Sequence, residues 1–441
     1  MSNGIQVTDG HEALGLDPND PIAFRHGIAV SRREFLAHVA TLARRLPAGD
    51  FMVNLCEERY RFLVAYAAAL ARGHTVLLPS SRAEQIVVEV EIANPGSYRC
   101  SDEDVEAALS SVMDAATQLE ISPEHTCMIG FTSGSTGQPK RFPKLWRTVS
   151  ASTRCNASSI RRALRTDKPG GIVATVPPQH MYGMELSILL PLISGIAVHA
   201  DRPLFPADIA KALAEVPEPR ILVSTPVHLR ALIESSAQFP KTALIISATA
   251  PLDAALAKQV EQRLSAQLLE MFGSTETCVF ANRRTAEEPA WRLYEGVQLQ
   301  ASTEGTVVDA PWFVEPVTLQ DLIELEPDNR FTVRGRNADM IEVAGKRASL
   351  ADLTRRLLAI EGVTDAVVFQ PEENASGGVR RVAALVVTTR WSAREVLDRL
   401  RPSVDPAFLP RPLRIVERLP RNELGKLPRE ALLRVLHGTS A

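Results

Sequence analysis

Residues 127–140 constrain this chain most. An apolar run, Cys127-Met-Ile-Gly-Phe131, reads as a short buried strand. It leads into Thr132-Ser133-Gly134-Ser135-Thr136-Gly137-Gln-Pro-Lys140. Glycines let the backbone turn its N–H groups inward into an anion-binding nest. The hydroxyls add donors and Lys140 adds a positive charge. That is the chemistry of a polyphosphate cradle. Pro139 stands between the last glycine and the lysine, so the GxxxxGK[ST] spacing fails. A Gly/Ser linker would need neither the strand before the loop nor the Pro-Lys after it.

The pattern around this stretch is that of an α/β protein. A hairpin is expected at 22–24 and 28–30. A helix follows, capped by Ser31 with Glu34 three residues on, its apolar face made by Phe35, Val39, Leu42 and Leu46. A strand at 51–55, an apolar helix at 59–72 and a strand at 75–78 make a βαβ unit, the mark of a parallel sheet. Residues 81–125 read as a strand, an acidic loop at 101–106 and a helix, and 146–164 as a long helix. Residues 171–180 read as a strand that delivers His180, followed by Tyr182, to the carboxyl edge where α/β sheets bind ligands. The segments 221–226 and 244–251 each run from strand to small residues, Thr225 and Ala248, and then proline, at that same edge.

A strand at 267–271 ends in Phe272-Gly273-Ser-Thr275-Glu276. The ring can stack on a base, Thr275 can reach a phosphate, and Glu276 can hold Mg²⁺, which prefers oxygen ligands shared with phosphate. Asp321 can accept from a ribose hydroxyl. Beyond it, strands at 366–369 and 382–387 alternate with helices at 350–359 and 393–400, as in a small α+β domain. Lysine is scarce, eight among 49 Lys and Arg, so Lys426 after Gly425 in a Pro-Arg-rich loop stands out.

A length of 441 residues suggests two or more domains, and a net charge of −3 argues against a general nucleic-acid binder. Five cysteines without a CxxC pair fit reduced thiols in a cytoplasm. Residues 1–21 lack a signal-peptide core. The apolar stretch near 186–198 is broken by Pro191 and Gly195 and is too short to span a bilayer.

Together these motifs resemble the adenylate-forming superfamily of acyl- and aryl-CoA synthetases, luciferases and peptide-synthetase adenylation domains. FTSGSTGQPK resembles its phosphate loop, PPQHMYG its aromatic/His motif, and MFGSTE its adenine and magnesium motif. RGRNADMIEVAGKR resembles its hinge motif and LPRNELGK its catalytic-lysine motif. The departures are a short N-terminal domain, Ala338 where the family usually has Asp or Lys, Phe272 where Tyr is commoner, and Leu-Gln-Asp321 in place of TGD. Ser349-Leu-Ala-Asp352 likewise replaces the family's Pro-x-Glu.

The resemblance implies a large adenylation domain at 1–337, with mixed and parallel sheets, and a small mobile α+β domain at 338–441 that turns about Ala338. It implies activation of a carboxylic acid by ATP and Mg²⁺ to an acyl-AMP, then transfer to the thiol of coenzyme A or of a carrier-protein phosphopantetheine. Thr132 to Lys140 would hold the β- and γ-phosphates, and Phe272, Gly273 and Thr275 the rest of the nucleotide. Asp321 and Arg336 would hold the ribose, and Glu276 the metal. His180, Tyr182, Thr225 and Ala248 would line the acyl pocket, Arg347 would serve the acceptor thiol, and Lys426 would bridge carboxylate and α-phosphate. From residue 338 onward the net charge is +4, against −7 before it, which suits an acidic carrier protein or the phosphates of coenzyme A.

The runs 54–62 and 344–350 resemble the aryl-acid ligases of xanthomonadin and aryl-polyene pigment clusters, which activate hydroxybenzoate-type acids. A medium-chain or β-hydroxy fatty acid is the alternative substrate. A nucleotide-binding regulator without catalysis is the alternative of another class.

Overall fold

The computed structural model describes the chain apart from residues 1–6, 9–10, 14–16, 111–118, 133–139, 167, 169, 303–304, 337–339, 344–345, 372–381, 423–424 and 439–441. Contacts divide it into two compact units, residues 1–297 with 310–315, and residues 298–309 with 316–441. This packing boundary lies earlier than the division at 337/338, which concerns a pivot and returns below as a proposal.

The described part of the first unit holds a small three-stranded sheet of Val7–Thr8, His11–Ala13 and Glu120–Ile121 and two larger ones that carry the motifs. In the smaller of these two, the strands lie in the order Lys140–Leu145, Thr126–Thr132, Thr75–Leu78, Phe51–Asn54, Tyr98–Cys100. All neighbours are parallel except the first pair. The expected βαβ unit is present as Phe51–Asn54, the helix Arg59–Ala71 and Thr75–Leu78. Val53, Leu77, Ile129 and Phe131 pack with Val87 and Val90 of the helix Glu84–Ile92.

In the larger sheet the strands Gln267–Ser274, Leu244–Ser247, Arg220–Ser224, Gly171–Ala174, Ala197–His199 and Pro21–Arg25 run parallel in that order. Antiparallel Cys278–Arg283 and Trp291–Leu293 extend one side and Ile28–Ser31 the other. The helices Pro206–Ala214, Pro226–Glu234 and Ala254–Leu264 bury Ile209, Leu213, Leu229, Leu232, Leu256 and Val260 in one cluster with strand residues such as Val173, Leu222 and Ile245.

The second unit carries an antiparallel sheet of Gln298–Ser302, Gly305–Asp309 and Val317–Leu319. It also holds the hairpins Asp321–Glu326 with Arg330–Arg336, and Met340–Val343 with Lys346–Ser349. Its α+β part stacks the helices Leu350–Leu358 and Ala393–Leu400 on Asp365–Phe369, Ala383–Val387 and Leu413–Ile415, around Leu353, Leu357, Val368, Val386, Val396 and Leu400. No described helix is long and apolar enough to cross a membrane.

Two local expectations are corrected. Residues 101–106 are not a loop: Ser101 caps the helix Asp102–Leu109 in a reciprocal capping box with Asp104. Asp102, Glu103 and Asp104 fill the first turn, where the helix dipole favours negative charge. The strand expected to reach His180 ends at Ala174, and the prolines of Thr175-Val-Pro-Pro-Gln-His180 carry the chain in a turn instead.

Candidate active site

Thr132 and Lys140 are Cα partners where the strands Thr126–Thr132 and Lys140–Leu145 meet, so the two ends of the glycine loop stand side by side. Ser133, Gly134, Ser135, Thr136 and Gly137 lie outside the described residues, as does Ala338. The Thr132, Arg336 and Arg347 side chains are likewise outside what is described.

Beside this loop mouth lies the turn at 274–278. A Cβ on Gly130 would come within 3.1 Å of Thr275 Cγ2, so the two motifs meet at a position where a side chain would crowd Thr275. The turn is tied internally. Thr277 Oγ1 accepts from Ser274 N–H at 3.1 Å and donates to the Cys278 carbonyl at 2.9 Å, while Thr277 N–H donates to Ser274 Oγ at 3.3 Å. Cys278 sits at φ +60°, and the exposed Gly273 passes so close that a Cβ there would lie 2.2 Å from the Cys278 carbonyl oxygen. Phe272 is half-buried against Phe280 and Trp291, with centroids 5.4 and 4.9 Å apart, and Arg283 covers the Trp291 ring.

Beneath the turn are two charged side chains that sequence reasoning missed. Lys144 is 6% exposed, and its ammonium donates to the Glu276 carbonyl. Glu185 is 1% exposed and accepts from Val279 N–H at 3.0 Å, Ser152 Oγ at 3.0 Å and Asn156 Nδ2 at 3.3 Å. Burial pushes the Glu185 carboxyl up to about 7, against the pull of those donors and of the Lys144 charge. It opens the π-helical segment Glu185–Leu189, a widened turn of the kind frequent at functional sites.

At the carboxyl edge of the parallel strands, Thr175, Thr225 and Ala248 each follow a strand end. Tyr182 is buried, with its hydroxyl committed to the Ser224 and Ile246 carbonyls at 3.1 and 3.0 Å, so it pins two strand ends instead of offering a polar group. Half-buried His180 precedes the helix Met181–Met184, and its carbonyl accepts from Met184 N–H at 2.7 Å. Thr225 Oγ1 and Thr175 Oγ1 lie 3.2 and 3.1 Å from His228 Nδ1. Burial first, then the Arg202 charge, lowers the His228 pKa. Arg59, fully buried, donates to the Ala174 and Val176 carbonyls at 2.8 and 2.9 Å and to Ser187 Oγ. Burial, with Arg202 nearby, lowers it to about 9.

In the second unit Asp321 and Arg336, 15 positions apart, are Cα partners across their hairpin. Asp321 is buried rather than a surface acid, and its carbonyl accepts from Thr306 Oγ1 at 2.6 Å. Lys426 is exposed on a pinned loop. Its N–H donates to Asn422 Oδ1 at 2.9 Å and its carbonyl accepts from Asn422 N–H at 2.8 Å. Arg421 donates to the Gly425 carbonyl at 2.8 Å and grips Asp365 with two bonds of 3.1 and 2.8 Å, a fork that fixes direction as well as distance.

Glu276 fits a magnesium ion by its donor chemistry: one half-buried carboxylate, main chain anchored, beside the loop read as a phosphate cradle. Among the described residues no group of three or more His, Cys, Asp or Glu could hold a metal. Mg²⁺ held by one carboxylate together with phosphates and waters requires no such group.

A family model described as AMP-binding enzyme matches residues 78–312. A 4-coumarate–CoA ligase of Halorhodospira halophila is 29% identical over 336 residues, spanning 74% of this chain and 81% of the relative. A 3,4-dihydroxybenzoate–[aryl-carrier protein] ligase of Bacillus anthracis is 22% identical over 324 residues, spanning 70% and 74%. The solved structure of the o-succinylbenzoate CoA synthetase of Bacillus subtilis with its acyl-adenylate intermediate is similar at a TM-score of 0.79 and 17% identity, covering 95% of this chain and 96% of that one. The same enzyme with ATP and magnesium ion matches at a TM-score of 0.78 and 17% identity, covering 94% and 97%. At these identities the structural likeness is one of fold.

Proposed function

The chain belongs to the AMP-binding enzyme family, and on that premise we propose that it activates an aryl acid of the hydroxybenzoate type and passes it to a thiol. The observation that carries the reading is the meeting of the loop mouth with the Thr275–Glu276 turn at Gly130. The aryl preference is supported by the names of two relatives, a coumarate and a dihydroxybenzoate ligase. A finer assignment, to xanthomonadin or aryl-polyene pigment assembly in the cytoplasm, rests on the runs 54–62 and 344–350.

In the first step a carboxylate oxygen bonds to the α-phosphorus of ATP and the bond to the bridging oxygen breaks. Acyl-AMP forms and pyrophosphate leaves. Such a reaction needs positioning and charge neutralisation more than covalent help. Lys140 and the loop it closes hold the β- and γ-phosphates, Thr275 the phosphate chain, and Phe272 stacks on the base. Asp321 and Arg336, already paired in register, take the ribose. Lys426 bridges the attacking carboxylate and the α-phosphate. Glu276 and the phosphates would hold magnesium, which when bound neutralises phosphate charge. In the second step the thiolate attacks the acyl carbon, its proton having passed to solvent, and AMP leaves. The segment 338–441 turns about Ala338 between the steps. His180 opens the thiol's path and Arg347 serves its phosphates. The acceptor is coenzyme A or a carrier-protein phosphopantetheine.

Mass spectrometry of products from ATP, Mg²⁺ and single acids tests the substrate. Hydroxybenzoates and 4-coumarate should give the aryl-AMP, and the thioester once coenzyme A or a phosphopantetheinylated carrier is added. Turnover of octanoate or 3-hydroxyoctanoate in preference to every aryl acid would overturn the aryl reading.

A further inference from the structure

We propose that Lys144 and Glu185 are positioning residues that grip the Thr275–Glu276 turn by its main chain at two points, and so set where the phosphate tail and its metal are held. The inference deepens the ligase reading above and rests on it.

Lys144 holds the Glu276 carbonyl, and Glu185 holds the N–H of Val279 three residues on. Between these points lie the Thr277 hydroxyl bonds and the left-handed Cys278. Both grips are on backbone atoms, so they fix the path of the chain and leave the Thr275 and Glu276 side chains available. Lys144 itself is placed by register: it sits opposite Met128 on the strand that closes the glycine loop, and its carbonyl accepts from Cys127 Sγ. The turn is thereby keyed to the strand pair that carries the loop. Glu185 in turn is anchored by Ser152 and Asn156 on the long helix Trp146–Leu164.

A neutral donor could satisfy the Glu276 carbonyl. An ammonium does so with three donors and a full charge. Among the described residues its one hydrogen-bond acceptor is that carbonyl. A charge in a poorly screened interior acts over a longer range than one in water, so a cation behind this turn favours an anionic ligand in front of it. When ionised, Glu185 carries the opposite charge, and the two then offset each other's burial. Removing either leaves a buried main-chain group unpaired.

Calorimetric titration with two probes separates positioning from a purely structural role. The first probe is α,β-methylene-ATP with Mg²⁺, which needs the phosphate tail and metal. The second is AMP, which lacks both. Lys144→Met and Glu185→Leu should weaken the Mg²⁺–analogue complex roughly tenfold or more while AMP affinity moves by less than about twofold, the loss of a buried contact being felt at the tail alone. Lys144→Arg should recover most of the analogue affinity. Analogue affinity unchanged in Lys144→Met, or an equal loss for both probes, overturns the proposal. If Lys144→Met does not fold, Lys144→Gln, which keeps a donor but no charge, is judged by the same two probes. Wild-type protein that binds neither probe refutes the ligase reading instead.

Discussion

Gly130 and Thr275 stand in van der Waals contact across 145 residues of sequence, with Thr275 Cγ2 3.1 Å from where a Gly130 Cβ would be. That approach joins the strand of the glycine loop to the turn read as holding phosphate and metal. A methyl at residue 130 would push Thr275 by a few tenths of an ångström, and a larger group would displace the turn. Gly130→Ala should raise the KM for ATP by roughly threefold and Gly130→Val by roughly 30-fold or more, as small misplacements of positioning groups do. The KM for the acid should stay near the wild-type value in initial-rate assays. A parallel rise in both would show that the contact is not specific to nucleotide.

Arg421 holds the Lys426 loop to Asp365 and caps the Gly425 carbonyl. Arg421→Met keeps the stem and loses the fork. Acyl-AMP formation should fall by about tenfold, less than for loss of the lysine itself, because the ammonium remains and only its placement loosens. Arg421→Lys should recover little, since a lysine cannot make the bidentate pair. Single-turnover acyl-AMP formation checks both variants.

Glu185 gives a pH signature. Its pKa rises from 4.5 to about 7 in the folded protein. The folded state therefore binds more protons than the unfolded one between those values, and this group's contribution is present below pH 4.5 and lost as pH rises through 7. Lys144, Cys278 and Tyr294 are titratable neighbours that share its field. Glu185→Gln abolishes the titration. Between pH 5 and 8 the variant should gain stability relative to wild type, by up to about 3 kcal/mol at 1.4 kcal/mol per pH unit. Urea unfolding at a series of pH values reads the slope, whatever the absolute cost of the amide. A pH-independent difference would mean that the carboxyl titrates normally.

Much of this arrangement is legible in the sequence where local signals agree. Trp146–Leu164 and Ala393–Leu400 form as helices where periodicity places them, the second with a capping box from Ser392 and Glu395. The candidates at the sheet edge are legible because α/β topology delivers strand ends to one side. The acidic run at 101–106 is misread because Asp and Glu suit both a loop and a first helical turn, and only Ser101 with Asp104 tells them apart. Arg59, Lys144, Glu185 and Arg421 are missed for another reason: their partners Ala174, Glu276, Val279 and Asp365 lie 56 to 132 positions away and come together with them only through the fold. A faint signal exists for two of them. Arg59 stands with Arg61 at the head of the apolar helix Arg59–Ala71, and Glu185 interrupts the run Met181 to Leu192. A charge inside such a run needs a partner when buried.

The measurement that tests the account most directly is acid-dependent ATP–pyrophosphate exchange with hydroxybenzoates, 4-coumarate, medium-chain and 3-hydroxy fatty acids, and malonate. Wild type should exchange with an aryl acid. Lys426→Ala should lower that exchange by roughly 10²-fold or more, the loss of a transition-state contact, yet still make thioester from preformed acyl-AMP. Glu276→Gln should need more Mg²⁺. Exchange with no acid of the panel, or equal loss of both half-reactions in Lys426→Ala, would contradict the account.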